Sequence, residues 1–199
     1  MLDVWNTVEE RSAIALGRAL DLVGYHKLNP LTGTVAQSVT EGITDTANST
    51  TLVGAKYGEA IEAAAGLVIA DGYTPNGIAL DPALSFGVAT QRDGDGRKLY
   101  PELGLGADVN QLFGMNAAVS TTVSAKNEAQ TATNIIGFVG QFDAFRWGVQ
   151  RDIMAEVIEY GDPDGLGDLK RQNQIALRME IVYGIAILDT DAFAKIVTA

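Results

Sequence analysis

Seven apolar side chains at alternate positions constrain this chain more than any other feature. Ile175, Leu177, Met179, Ile181, Tyr183, Ile185 and Ile187 alternate across residues 175–187. Successive side chains of a strand face opposite ways, so a period of two predicts one long strand here. Its β-branched content favours strand over helix. The other face begins polar with Arg178 and Glu180 and turns apolar at Val182, Ala186 and Leu188. That change predicts a strand running from a half-exposed setting into one buried on both faces.

The residues before it have the same character. Residues 134–143 read as strand, and Phe145, Trp147 and Val149 alternate with Arg146, Gly148 and Gln150. The phase slips between Arg151 and Ala155, which predicts a bulge or bend. Residues 161–168, with Gly161, Asp162, Pro163, Asp164, Gly165, Gly167 and Asp168, read as a loop.

The first part of the chain is helical. Val4, Val8, Ala15, Ala19 and Val23 recur at helical spacing, with Trp5, Leu16 and Leu20 beside them. They predict a helix over residues 3–26, about 35 Å long at 1.5 Å per residue, ended by Asn29-Pro30. Residues 31–50 are small and polar, a loop or short edge structure. A second helix is expected from about Thr51 to Ala70, capped by Ser49 or Thr50 and stopped at Gly72. Val53, Tyr57, Ile61, Ala64, Ala65 and Val68 form its buried stripe. Gly77-Ile-Ala-Leu80 reads as a short buried strand. Asp81-Pro82 then opens a third helix, Asp at the N-cap and Pro first in the helix, ending near Arg92. Residues 103–124 suggest short strands with turns.

Composition excludes several functions. The chain has no cysteine, which removes disulfides, cysteine zinc sites and thiol catalysis. Its net charge of −11 disfavours binding to nucleic acid. Met1–Glu10 lacks the features of a signal peptide, and the longest apolar run, Ala63–Ala70, is too short to span a bilayer. A soluble protein made in a cytoplasm is expected.

No reactive set of residues stands out. His26, the only histidine, has no Gly-x-Ser-x-Gly partner and no flanking carboxylates. It reads as a partner of the helix dipole or as an exposed residue. Asp93-Gly-Asp-Gly starts like a calcium loop. The pattern then fails at Arg97, Lys98 and Gly104, so it reads as a turn. Asp162, Asp164 and Asp168 read as turn residues. Gly104-Leu-Gly106 opens a dinucleotide-type pattern that Val109 breaks. Trp5 and Trp147 fall in apolar patterns and read as core or interface anchors. As a core anchor, Trp147 would lose about 3–5 kcal/mol on replacement by Ala. No catalytic, cofactor-binding or metal residue is assigned, and no cofactor is implied.

Several segments, in order, resemble the major capsid protein of tailed bacteriophages, the Hong Kong 97 capsid fold. The Val4–Lys27 helix resembles that family's spine helix. Residues 52–70, Gly77–Leu80 with Asp81-Pro82, and Arg92–Tyr100 resemble its axial-domain stretch. Leu112–Ser120, Gly140-Gln-Phe-Asp143, Ile175–Glu180 and Asp189-Thr-Asp-Ala-Phe193 resemble its later strands and closing segment. No one motif is specific; order and spacing carry the resemblance. Ala117 replaces a usual Pro, Gln141 a frequent Asp, and Tyr183 and Gly184 a usual basic residue. The segment before the spine helix, which in the family supplies the N-terminal arm and the E-loop, has no counterpart. A truncated chain or a short natural member would explain that, and cross-linking through that hairpin is not carried over.

The resemblance implies an α+β fold with three stretches. Residues 1–48 would hold the spine helix and part of a peripheral domain. Residues 49–125 would form an axial domain. Residues 126–199 would return strands to the peripheral domain and pack back on the axial one. It implies a structural coat protein, not an enzyme, located in the virion capsid and made in a bacterial host cytoplasm. Its copies would build an icosahedral shell of five- and six-membered rings around DNA, with scaffold and portal proteins as further partners. Without arm and E-loop, this chain is expected to be largely monomeric or weakly associated at micromolar concentration. An encapsulin-type compartment shell, or a small α+β enzyme or ligand-binding domain, is the alternative.

Overall fold

The computed structural model describes residues 4–101, 103–104 and 109–198. The chain divides into two compact units at Arg18/Ala19, Arg146/Trp147 and Ile185/Ala186. No described helix is long and apolar enough to cross a membrane.

The larger unit, residues 19–146 with 186 onward, is built on a six-stranded sheet. Its strands are β1 (Ser49–Leu52), β2 (Gly77–Leu80), β3 (Gln111–Leu112), β4 (Met115–Val119), β5 (Ile135–Gly140) and β8 (Phe193–Thr198). They lie in the order β1-β8-β5-β2-β4-β3. β8 runs parallel to β1 and antiparallel to β5, and β2 runs antiparallel to β5 and parallel to β4. Central β2 is buried along its whole length, as its run of apolar residues requires.

Period-two alternation feeds two cores. Ile78 and Leu80 pack with Val139, Ile196 and Leu84 under the helices α2 (Tyr57–Ala70) and α3 (Pro82–Thr90). Ala79, Phe138 and Phe193 turn to the other face, with Ile43 and Val123. There the Tyr25 ring stacks on Phe138 at 5.3 Å, and Phe142 meets Phe193 edge-on at 5.5 Å. Gly140 permits this approach, because a Cβ there would lie 2.5 Å from the Phe193 ring and 2.6 Å from the Ala192 carbonyl.

Local chemistry sets the boundaries. Asp81 caps α3 by accepting from the Ala83 N–H at 2.8 Å, with Pro82 in the first turn. Gly72, at φ +89°, ends α2 as expected. The start of α2 differs from the sequence expectation. Ser49–Leu52 is a strand, the helix starts at Tyr57, and neither Ser49 nor Thr50 caps it. The β-branched Thr50-Thr51 pair suits the pleated edge beside β8, and Gly54, at φ +61°, supplies the turn between strand and helix. Val53, placed on a buried stripe, is accordingly exposed.

The smaller unit contains the start of α1 (Val4–His26) and most of β6 (Phe145–Ile158) and β7 (Ala176–Ile187), which form a two-stranded sheet. β6 is one uninterrupted strand; the side chains at 151–155 and at Trp5, and Gly106, lie outside the described residues. In the connecting loop the Asp162, Asp164 and Asp168 carboxylates accept from the N–H groups of Gly167, Leu166 and Arg171. These aspartates act as turn formers, as expected.

Two burial expectations fail. Trp147 is 57% exposed and not a core residue, and Arg146, Gly148 and Gln150 on the other face of the strand are exposed too. At the end of β7, Ala186 and Leu188 are exposed while Ile187 packs on the core. Asp189 then caps a 3-10 turn (Thr190–Ala192) that leads into β8, so only one face is covered there.

Candidate assembly surfaces

The residues singled out for chemistry are occupied with structure. His26 is buried, contrary to the dipole-partner or exposed reading. Its Nε2 donates to the carbonyls of Val123 at 2.8 Å and Thr122 at 3.2 Å, joining the last turn of α1 to the Thr121–Val123 turn. Burial pushes its pKa below the ordinary imidazole value, while the two carbonyls and the Glu128 charge pull the other way. The sequence could signal this only through its position between the apolar Leu22-Val23 and Leu28. Burial raises the Tyr25 phenol, and the nearby Asp21 charge adds to the shift. Asp93 accepts from the N–H groups of Asp95 and Arg97, which makes it the organiser of its turn.

The cavities match this picture. One of about 470 Å³ is lined by His26, Leu28, Val35 and several threonines, another of about 370 Å³ by Tyr25, Asn76, Asn116 and Asp143. In the first, the His26 Nε2 is already taken by the Val123 and Thr122 carbonyls. Among the described residues no three histidine or carboxylate side chains gather as a metal site would need.

What the surface does present is uncovered apolar area. On β6, Trp147, Val149 and Val157 are 57%, 41% and 54% exposed. In the larger unit, Leu99 and Phe113 are 45% and 39% exposed, with Phe113 edge-on to Tyr100. A single exposed leucine means little, but several large apolar side chains on one exposed strand mark a surface made for contact.

The larger unit also carries an acidic end, where α2 stops and β8 starts. Asn48 donates to the Asp71 carboxylate at 2.7 Å and reaches the Asp191 carbonyl at 3.4 Å. Tyr73 donates its hydroxyl to Asp189. That bond, partial desolvation and the charges of Asp189, Asp191 and Asp71 raise the Tyr73 phenol; the same bond and the Asp191 N–H hold Asp189 low. Sequence reasoning missed this cluster, because its members lie far apart in the chain and meet only through the sheet.

Comparison with known proteins shows the family. The model of the phage capsid family matches residues 2–198. The chain belongs to the phage capsid family. A solved chain from Mycobacterium phage Ogopogo is 48% identical, with a TM-score of 0.93, over 100% of this chain and 68% of that one. One from Gordonia phage Cozz is 34% identical, with a TM-score of 0.88, over 98% and 64%. At 17% identity and a TM-score of 0.59, a chain from the capsid of an empty GTA particle shares the fold, over 99% and 65%. No match was found among curated proteins. The chain spans about two thirds of the length of these solved relatives. The mixed α+β capsid fold expected from the sequence is therefore borne out, and so is a structural capsid role in place of an enzymatic one. A small enzyme or binding domain is set aside.

Proposed function

We propose that copies of this phage capsid family chain join head-to-tail into rings of five and six, which tile an icosahedral shell around DNA. The observation that carries this reading is the match to the Ogopogo chain over the whole of this one. Head-to-tail contacts that close on themselves give rings without leaving a free end. The uncovered Trp147–Val149 stretch of β6 supplies apolar area for such contacts. The net charge of −11 supports a wall that holds DNA without binding it tightly. Scaffold and portal proteins belong to the same reading as further partners, and the site of synthesis is the bacterial host cytoplasm.

Sedimentation velocity over a concentration series tests it, with negative-stain imaging of the most concentrated sample. Weak association at micromolar concentration, rising with concentration and giving rings, sheets or shells, is expected. A strictly monomeric chain at every concentration would sink the reading.

A further inference from the structure

The larger unit is electrically uneven along α2, and the unevenness is self-complementary. The N-terminal end of α2 meets the turn that follows α3: the Gln91 side chain accepts from the Gly58 N–H at 3.0 Å. Tyr100 lies against Gly58, where a Cβ would come within 2.3 Å of the phenol oxygen. This end carries Arg92, Arg97 and Lys98 against Asp93 and Asp95. Asp93 is tied to its own turn and Arg92 to the Gly96 carbonyl. Beside it, Lys56 is neutralised by Glu59 at 2.8 Å. Among the described residues no carboxylate pairs with Arg97 or Lys98; the exposed Leu99 follows them in the chain, and the exposed Phe113 lies edge-on to nearby Tyr100.

The C-terminal end of α2 holds the reverse. Asp71, Asp189 and Asp191 cluster there with no lysine or arginine paired to them among the described residues, and the exposed Leu188 adjoins them. The helix has fourteen residues, so the ends are about 20 Å apart at 1.5 Å per residue. That exceeds a Debye length of roughly 8 Å at physiological salt, so the ends cannot satisfy one another within one copy.

We propose that the Arg97–Lys98 turn of one copy docks on the Asp71–Asp189–Asp191 end of the next, with Leu99 and Phe113 of the first meeting Leu188 of the second. The inference rests on the head-to-tail assembly above and names the contact that joins its copies. In a chain this acidic, copies repel unless an interface brings its own cations to the partner's carboxylates, and this turn does so. Contacts between unlike ends also polymerise in one direction, as a ring requires.

The absence of native cysteine makes the test clean. The full chain carrying both Arg97→Cys and Asp191→Cys is oxidised mildly, beside each single variant. The double variant is expected to give a ladder of dimers, trimers and larger species, while single variants stop at dimers. Adding Lys98→Glu is expected to slow the ladder about tenfold, and adding Asp71→Lys to that to restore it, as paired charges do. Circular dichroism checks that each variant is folded. Association that rises with concentration but gives no ladder beyond dimers overturns this contact and leaves the assembly reading standing. No association and no ladder overturns both. A ladder indifferent to the charge reversal overturns the electrostatic basis.

Discussion

The two units of this chain finish their folding differently. The six-stranded sheet is covered on both faces by its own chain, with Phe138, Phe193, Leu80 and Leu84 fully buried. The β6–β7 pair leaves Trp147, Val149 and Val157 open and has Arg146, Gly148 and Gln150 exposed on its other face. A two-stranded sheet is marginal alone in water. One region is a completed core, and the other leaves large apolar side chains uncovered.

That contrast can be broken most sharply at Phe193. Phe193→Ala opens a cavity opposite Phe142 and beside Gly140, and denaturant titration should read a loss of about 3–5 kcal/mol. A loss below about 1 kcal/mol would mean that the sheet is not the closed core described. His26→Phe comes next. It keeps an aromatic ring beside Tyr25 and Phe138 but leaves the Thr122 and Val123 carbonyls without their donor, a cost of about 1–3 kcal/mol.

The same residue sharpens the comparison through pH. With the folded pKa of His26 below its unfolded value, the unfolded chain binds the extra proton as acid is added. Stability is therefore whole above about pH 6.5 and is lost as pH falls from there toward the folded pKa. The slope should flatten in His26→Phe, and an unchanged slope would assign it to another group. Asp45 acts lower down. Burial alone would raise it, but the Lys27 ammonium and the Gly42 N–H outweigh that and hold it below the usual carboxylate range. Its contribution is lost only as pH falls through that lowered value.

Smaller effects follow. Asp81→Ala removes the α3 cap and should cost about 1 kcal/mol by thermal or denaturant melting. Trp147→Ala, at an exposed position, should change the stability of the isolated chain by less than about 0.5 kcal/mol. It should still weaken association measured by sedimentation. A loss of several kcal/mol would restore Trp147 to a core.

The long strands, the first helix, the Asp81-Pro82 helix start and the turns at Gly72 and Asp93 were legible because each rests on local rules: period, capping and positive φ. Burial was less legible. Trp147 and Leu188 sit in the same alternating patterns as buried residues, and alternation says which side chains share a face but not whether anything covers it. His26 misled in the opposite sense, since a polar residue at a helix end looks exposed until the Thr121–Val123 turn arrives from far along the chain.

Sequence by itself determined the elements, the absence of cysteine chemistry, the acidity and, through the order of its segments, the capsid family. Tertiary structure alone decided that Thr50 and Thr51 pair with β8, that His26 is buried, and that Asp71, Asp189 and Asp191 share one end of the molecule. The physical reason is that periodicity and capping act over a few residues. Burial and clustered charge depend on which distant segments the sheet brings together.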